Sequence, residues 1–592
     1  MKKLTVLLPV LLLAACAQAP TWHPVGNRIM TSWGEALDPA CPLQEYPRPQ
    51  MVRPSWQSLN GLWDYSVTSA GEAEPHGSEG KILVPFCIES ALSGVGRHVL
   101  EDEVLWYETT FRAPHGERVL LHFGAVDWSA EVWLNGYKVG SHTGGYTAFS
   151  FDITPYLGPG IQHLRVKVMD GTDNDRQPRG KQVSSPDGIW YTPVTGIWQT
   201  VWVEAVPQCY IKGYEYTADI SDGTITITVD TDGGDEVSIS SEGRSVTVPP
   251  GRPAVLPLEG ARLWSPSDPY LYDLDIVLSE DGRETDAVKG YAALREISIQ
   301  ADKAGHRRMA LNGKTLFHFG PLDQGWWPDG LYTAPSDEAL AFDIRKTKDM
   351  GFNMIRKHIK VEPERWYWWC DRLGVLVWQD MPSITDNRVG RWDPEGYEGE
   401  EWDAPASVKK TYFKEWGEII AQLRNHPSIV VWVPFNEGWA QIDTRKTVDF
   451  TRTLDPTRLV NPASGGNFIK GVGDILDLHH YPDPQMVIRD PALVNVLGEY
   501  GGIGWPVEGH LWQPDRNWGY VKYESGADVL AQYEEYAEAL KGLVQDGCAA
   551  AVYTQTTDVE IEVNGLMTYD RKVIKMPEDK LRAVNQSVIN LL

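Results

Sequence analysis

The chain has little cysteine: six residues in 592, with no C-x-x-C pair among them. Apart from Cys16 they stand alone at Cys41, Cys87, Cys209, Cys370 and Cys548. That odd, scattered set gives neither a disulfide framework nor a zinc site. Basic charge is also scarce. With 54 Lys and Arg against 81 Asp and Glu, the formal net charge is -27, which excludes the basic face that nucleic acid requires. Plain solubility is the simple reading of that acidity. Nowhere do ~20 apolar residues run together, so no membrane-spanning helix is expected. A phosphate loop, a G-x-S-x-G elbow and a Cys-His pairing are all missing. What remains is a globular composition, 42% hydrophobic and 23% charged, on a chain too long for one core. Two to four domains are expected.

The N-terminus, "MKKLTVLLPVLLLAACAQAP", has two lysines, an apolar run from Leu4 to Leu13 and then small residues. That order is an export signal, too short to span as a stable helix. Leu13-Ala14-Ala15-Cys16 resembles the bacterial lipobox, in which the cysteine is lipidated. The expectation is a signal over residues 1–16 and a bacterial cell-envelope lipoprotein, periplasmic or at the outer membrane or surface, held to the membrane through Cys16.

Residues 22–207 are short alternating runs broken by Gly, Pro, Asn and Asp. "LNGYKVG" carries an Asn-Gly hairpin signal, so this stretch is expected to be a β-sandwich. Residues 208–300, with "TITITVD" and "YLYDLDIVLSEDG", have the length of an immunoglobulin-like sandwich. In residues 301–592 the period changes. Strand-like runs start at Leu316, Asn353, Val375, Ile429, Arg458, Ile475, Val494 and Ala549. Amphipathic stretches such as "DEALAFDIRKTKDMG" separate several of them, which reads as a (β/α)8 barrel with short helices between strands five, six and seven. A doubly wound open sheet is the alternative, but no G-x-G-x-x-G follows any strand.

In such a barrel the C-terminal strand ends face the active site. Glu437, in "IVVWVPFNE", is read as ending the fourth strand, and Glu499, in "VNVLGEY", as standing at the end of the seventh. Two carboxylates converging on one mouth suit glycoside hydrolysis, one as a protonated acid and the other as an anion across the sugar. Burial beside a neighbouring anion would raise the pKa of the acid.

The order of sandwich, immunoglobulin-like domain and barrel resembles glycoside hydrolase family 2 over essentially the whole mature chain. Its most specific carriers are "NHPSIVVWVPFNEGW", "WCDRLGVLVWQD" and "DGIWYTPVTGIWQTVWVE". The resemblance implies a retaining, exo-acting enzyme that acts on an oligo- or polysaccharide. No cofactor is expected, and a metal pair at His479 and His480 is disfavoured because adjacent strand histidines cannot easily share one ion. It gives Glu437 the acid/base role, Asn436 the sugar 2-hydroxyl and Glu499 the nucleophile's place. Arg356 and His358 match an Arg and a His of the sugar subsite, and Tyr481 matches a tyrosine that hydrogen-bonds the nucleophile. His479 and His480 precede that tyrosine. Alternation can aim only one of them inward, and His480 is placed in the subsite. Asp323 and Trp326 are read as gripping and stacking on the sugar. For Trp326, its neighbour Trp327 and Trp439, ordinary packing competes with stacking.

The family's β-glucuronidases carry Asn-x-Lys before a glycine to bind the uronate. Here Glu562 and Asn564 precede Gly565, and a carboxylate there would repel an acid sugar. The expected substrate is therefore a neutral sugar, first a β-D-galactoside and second an α-L-arabinopyranoside, with Glu562 accepting from its hydroxyls. A glycan-binding surface lipoprotein is the non-enzymatic alternative. Decayed barrels usually lose a catalytic carboxylate, and this chain keeps both.

Overall fold

The computed structural model describes residues 22–258, 260–385 and 399–592. The signal and Cys16 lie outside the described residues. The first sandwich packs a six-stranded antiparallel sheet against a four-stranded one. Strand Ile161–Met169 runs through the larger sheet with alternate residues buried, as a half-covered strand requires. The expected hairpin is present: Leu134 pairs with Tyr137 across Asn135 and Gly136, which have φ of 53° and 84°. Trp63, Tyr107, Phe123, Val166 and Val203 fill the space between the sheets. The second sandwich has three strands facing four, with Ile227, Ile239, Leu274 and Ile276 in its core.

Eight parallel strands follow: β1 His318–Asp323, β2 Met354–Lys357, β3 Leu376–Asp380, β4 Ile429–Val433, β5 Leu459–Val460, β6 Ile475–His479, β7 Val494–Gly501 and β8 Ala550–Thr554. Their order is 5-4-3-2-1-8-7-6. The seam between β5 and β6 is closed by single bonds. Asp474 N donates to Val460 O at 2.9 Å and Gly465 N to Asp477 O at 3.3 Å. Helices follow β1, β2, β3, β4, β7 and β8; among the described residues none joins β5 to β6 or β6 to β7. A small sheet of Ile297–Ala301, Arg307–Leu311 and Lys314–Thr315 precedes β1. Its Ile297, Met309 and Leu311 pack on Met354, Leu376, Ile475, Val494 and Ala550. These five are the first residues of their strands, so the sheet plugs the bottom of the barrel and leaves the top for chemistry.

One boundary differs from the sequence reading. β4 stops at Val433, because Pro434 has no N–H to continue the ladder. Glu437 therefore stands four residues past the strand, in a turn with φ of 52°. The turn is fixed to the β5 loop, where Glu437 N donates to Ser464 O at 2.7 Å.

Candidate active site

Arg356 is the hub of the mouth. The two-residue period of β2 turns it inward and its neighbour Lys357 outward. Arg356 donates to both oxygens of Asp380 at 3.1 and 2.9 Å, to Asn436 Oδ1 at 2.7 Å, and to Glu499 Oε1 and Gly498 O at 3.1 Å each. Its guanidinium is fully buried. Burial alone would lower its pKa, but Asp380 and Glu499 more than reverse that. A buried charge is tolerated only when paired in this way, and removing one partner costs about 3–5 kcal/mol. The second oxygen of Glu499 accepts from Tyr481 Oη at 2.7 Å. Tyr481 in turn lies 2.6 Å from Thr554 Oγ1 and stacks on Tyr520 with ring centroids 3.7 Å apart.

Glu437 is 9% exposed, and its Oε1 lies 2.8 Å from His479 Nδ1. The same ring nitrogen is 3.4 Å from Glu499 Oε2. Donor oxygens of Glu437 and Glu499 and a ring nitrogen of His479 all fall within 4.8 Å of one another. Gly465 allows this arrangement: with φ of +87°, a Cβ there would stand 2.3 Å from His479 Nδ1. Three such donors could in principle hold a cation, but the Arg356 guanidinium already supplies positive charge to Glu499 and lies 3.4 Å from His479 Nε2. His358 Nδ1 is 3.2 Å from Asp380 Oδ2 and 3.9 Å from Glu499 Oε1. Burial, and after it the charge of Lys181, holds His358 well below the usual histidine pKa, so its ring is neutral at pH 7.

The structure thus brings Asn436, Glu437, Glu499, Arg356, His358 and Tyr481 together. Three other expectations are corrected. His480 points away from the mouth, with Nδ1 2.7 Å from Asp483 O, because alternation along β6 gives the inward place to His479. Asp323 accepts from Lys357 Nζ at 2.7 Å and so lies on the outward side of β2, in a buried cluster with Glu362 and Lys360. Trp326 is 1% exposed and packs edge-on against Tyr191 and Tyr332, with centroids 5.3 and 4.6 Å away. It supports a wall of the site from behind. Glu562 does reach the mouth's edge, but its oxygens are engaged: Tyr191 Oη donates to one and Asn564 Nδ2 to the other at 2.9 Å.

The histidine correction is testable. His480→Ala is expected to leave kcat/KM within about threefold. His479→Ala, which removes a contact to a charged group, should lower it about 10–100-fold. Equal losses in steady-state assays of the two variants would reject the assignment.

Sequence reasoning missed the part of the site contributed by the first sandwich. Its segment 179–192 crosses to the barrel and is fixed there at both ends. Arg179 N and Gly180 N donate to Ser383 O, and Thr192 N donates to Glu560 Oε1 at 2.9 Å. Gly180 (φ +62°) passes so close that a Cβ would lie 2.6 Å from Ile359 O. The segment brings Lys181, Trp190 and Tyr191 over the mouth, with Trp190 5.0 Å from Trp439 of the barrel. A loop without periodicity gives no sign of this contact.

Comparison with known proteins identifies the lineage. Residues 308–487 match the model described as glycosyl hydrolases family 2, TIM barrel domain. Residues 89–191 match the glycosyl hydrolase 2 galactose-binding domain-like model, and 209–295 the glycosyl hydrolases family 2 model. The chain belongs to glycoside hydrolase family 2. Within the family it is 26% identical to a beta-glucuronidase of Bacteroides fragilis over 515 residues, covering 78% of this chain and 71% of that one. It is 27% identical to a beta-galactosidase of Bacteroides ovatus over 472 residues, 66% of this chain and 51% of that one. Against two relatives from Formosa agariphila it spans 37% of their length. Its fold resembles a GH2 beta-galacturonidase from Eisenbergiella tayi solved with galacturonate. The TM-score is 0.69 at 19% identity, with 92% of this chain and 99% of that one covered.

Proposed function

We propose that this family 2 chain hydrolyses a terminal β-linked sugar with retention of anomeric configuration, by double displacement. The observation that carries the reading is the closeness of Glu437 and Glu499, whose donor oxygens lie within 4.8 Å. Carboxyls ~5–5.5 Å apart leave no room for the water that an inverting pair, ~6.5–9.5 Å apart, must admit. Glu499 attacks the anomeric carbon while Glu437 gives its proton to the departing glycosidic oxygen. Glu437 then takes a proton from the water that releases the sugar from Glu499. Before attack, Arg356 and Tyr481 hold Glu499 as an oriented anion. The Nη2 of Arg356 also fixes the Asn436 carbonyl oxygen, which leaves the Asn436 amide for a substrate hydroxyl. An exo mode fits the segment 179–192, which walls one side of the mouth and would block a continuing chain.

The neutral β-galactoside expected from sequence depended on Glu562 acting as a bare negative charge. That charge is engaged by Tyr191 and Asn564 and lies in the field of Lys181. Repulsion of an acid sugar is correspondingly weakened, and the sugar class turns on Lys181. The mechanism itself is tested by proton NMR of the first product formed from an aryl β-glycoside. The β-anomer should appear first and then mutarotate; initial α-anomer would refute retention.

A further inference from the structure

Lys181 is a charged side chain in an unusual place. It is 6% exposed and leans over the mouth from the sandwich segment whose backbone is bonded to the barrel. Its carbonyl accepts from Tyr191 N at 2.9 Å, which fixes the local turn. The ammonium is surrounded by rings, 6.0 Å from the centroid of Trp190, 5.8 Å from Tyr191 and 5.8 Å from Trp439. These distances are at the outer limit of a useful cation–π contact, about 6 Å. Among the described residues no hydrogen bond or ion pair engages its Nζ. The buried cations around it differ in this respect. Arg356 is paired to Asp380 and Glu499, Lys357 to Asp323 and Glu362, and Lys575 to Asp558. Burial lowers the Lys181 pKa below the usual lysine range, opposed by the fields of Glu562, Glu499 and Glu437. Those three carboxylates place the ammonium in the site, yet none lies within ion-pair distance of it.

We propose that Lys181 is the specificity residue of the sugar site and that it binds an anionic substituent, a carboxylate or a sulfate ester, on the terminal sugar. A hydroxyl would leave the buried ammonium without a direct ionic partner, whereas an anionic oxygen supplies one. The position answers the absence of the Asn-x-Lys lysine, in whose place Asn564 stands. The cation comes from the sandwich rather than from the loop after β8, and Glu562, tied down by Tyr191 and Asn564, stays back from it. Trp190 and Trp439 set apolar rings beside the ammonium, and a less polar surrounding strengthens its pull on an anion.

This assignment rests on the hydrolytic reading above, and its test separates the two. The 4-nitrophenyl β-D-glucuronide and β-D-galacturonide, and the β-D-galactoside 6-sulfate, are compared with the neutral glucoside and galactoside on the full chain. Binding of glucuronate, galacturonate, galactose 6-sulfate and galactose is measured by calorimetry alongside. At least one acid is expected to be preferred over its neutral counterpart; whether it is a uronide or the sulfate names the anion. Lys181→Gln should lower the acid-to-neutral ratio of kcat/KM about 10–100-fold, chiefly through KM, and Lys181→Arg should recover part of it. The proposal is overturned if the neutral sugar wins in every pair. It also falls if Lys181→Gln lowers acid and neutral substrates equally, the result for a lysine that only balances the three carboxylates. Lys181-dependent binding of an acid without turnover would reject hydrolysis and keep this assignment. Turnover without acid preference would do the reverse.

Discussion

Glu499→Ala is expected to abolish turnover, with a loss on the order of 10^4-fold or more, comparable to removing the nucleophile of other covalent enzymes. The size follows from what surrounds the carboxylate. Arg356 and Tyr481 grip Glu499 from two sides, at 3.1 and 2.7 Å, so both its oxygens are oriented before substrate arrives. Without it, Arg356 still faces Asp380 but leaves part of its buried charge unopposed, and nothing remains at that position to form a glycosyl–enzyme bond. A 2-deoxy-2-fluoro glycosyl fluoride of the preferred sugar should label the wild-type protein on the peptide containing Glu499 and leave the variant unlabelled. Peptide mapping decides the matter. A label on Asp380, which lies on the far side of Arg356, would move the nucleophile there and invalidate the mechanism.

The layout of the site was legible in the sequence wherever a short-range rule applied. Strands such as β4 are apolar runs because they are buried on both faces, and Glu437 and Glu499 stand out as carboxylates shortly after apolar residues. Their neighbours Arg356 and Tyr481 came from the resemblance to the family rather than from any such rule. Legibility failed where a side chain's direction depends on register. His479 and His480 are chemically identical, and only the pleat of β6 decides which one meets Glu437. Asp323 aligns with Lys357 in the β1–β2 ladder, a pairing that no local pattern reveals, and it sends the carboxylate outward. Trp326 has the composition of a sugar platform, yet the sandwich covers it through Tyr191. Lys181 was illegible for a further reason. Its relation to Glu437 spans two domains, and the close approach that creates it depends on Gly180 passing Ile359 without a side chain.

For Glu437→Gln, the expected loss depends on the leaving group. With an alkyl glycoside, kcat/KM should fall about 10^2–10^4-fold, the usual worth of a general acid. With a dinitrophenyl glycoside it should change by less than about tenfold, since a stable phenolate departs without a proton and gains little from one. Glutamine keeps the shape of the side chain and its contact to His479, so the variant isolates the proton from the geometry. The second half-reaction separates the acid role from the base role. On the activated substrate kcat should fall even where kcat/KM does not, because water attacking the glycosyl–Glu499 intermediate has lost its base. Azide, which needs no deprotonation, should restore kcat and yield a β-glycosyl azide. Position supports the assignment: Glu437 approaches from the β4 turn, across the mouth from the Arg356 grip on Glu499, and its Oε1 lies 2.8 Å from His479 Nδ1. Equal losses on alkyl and dinitrophenyl substrates, with no response to azide, would take the acid/base role from Glu437 and leave His479 as the nearest group able to carry a proton.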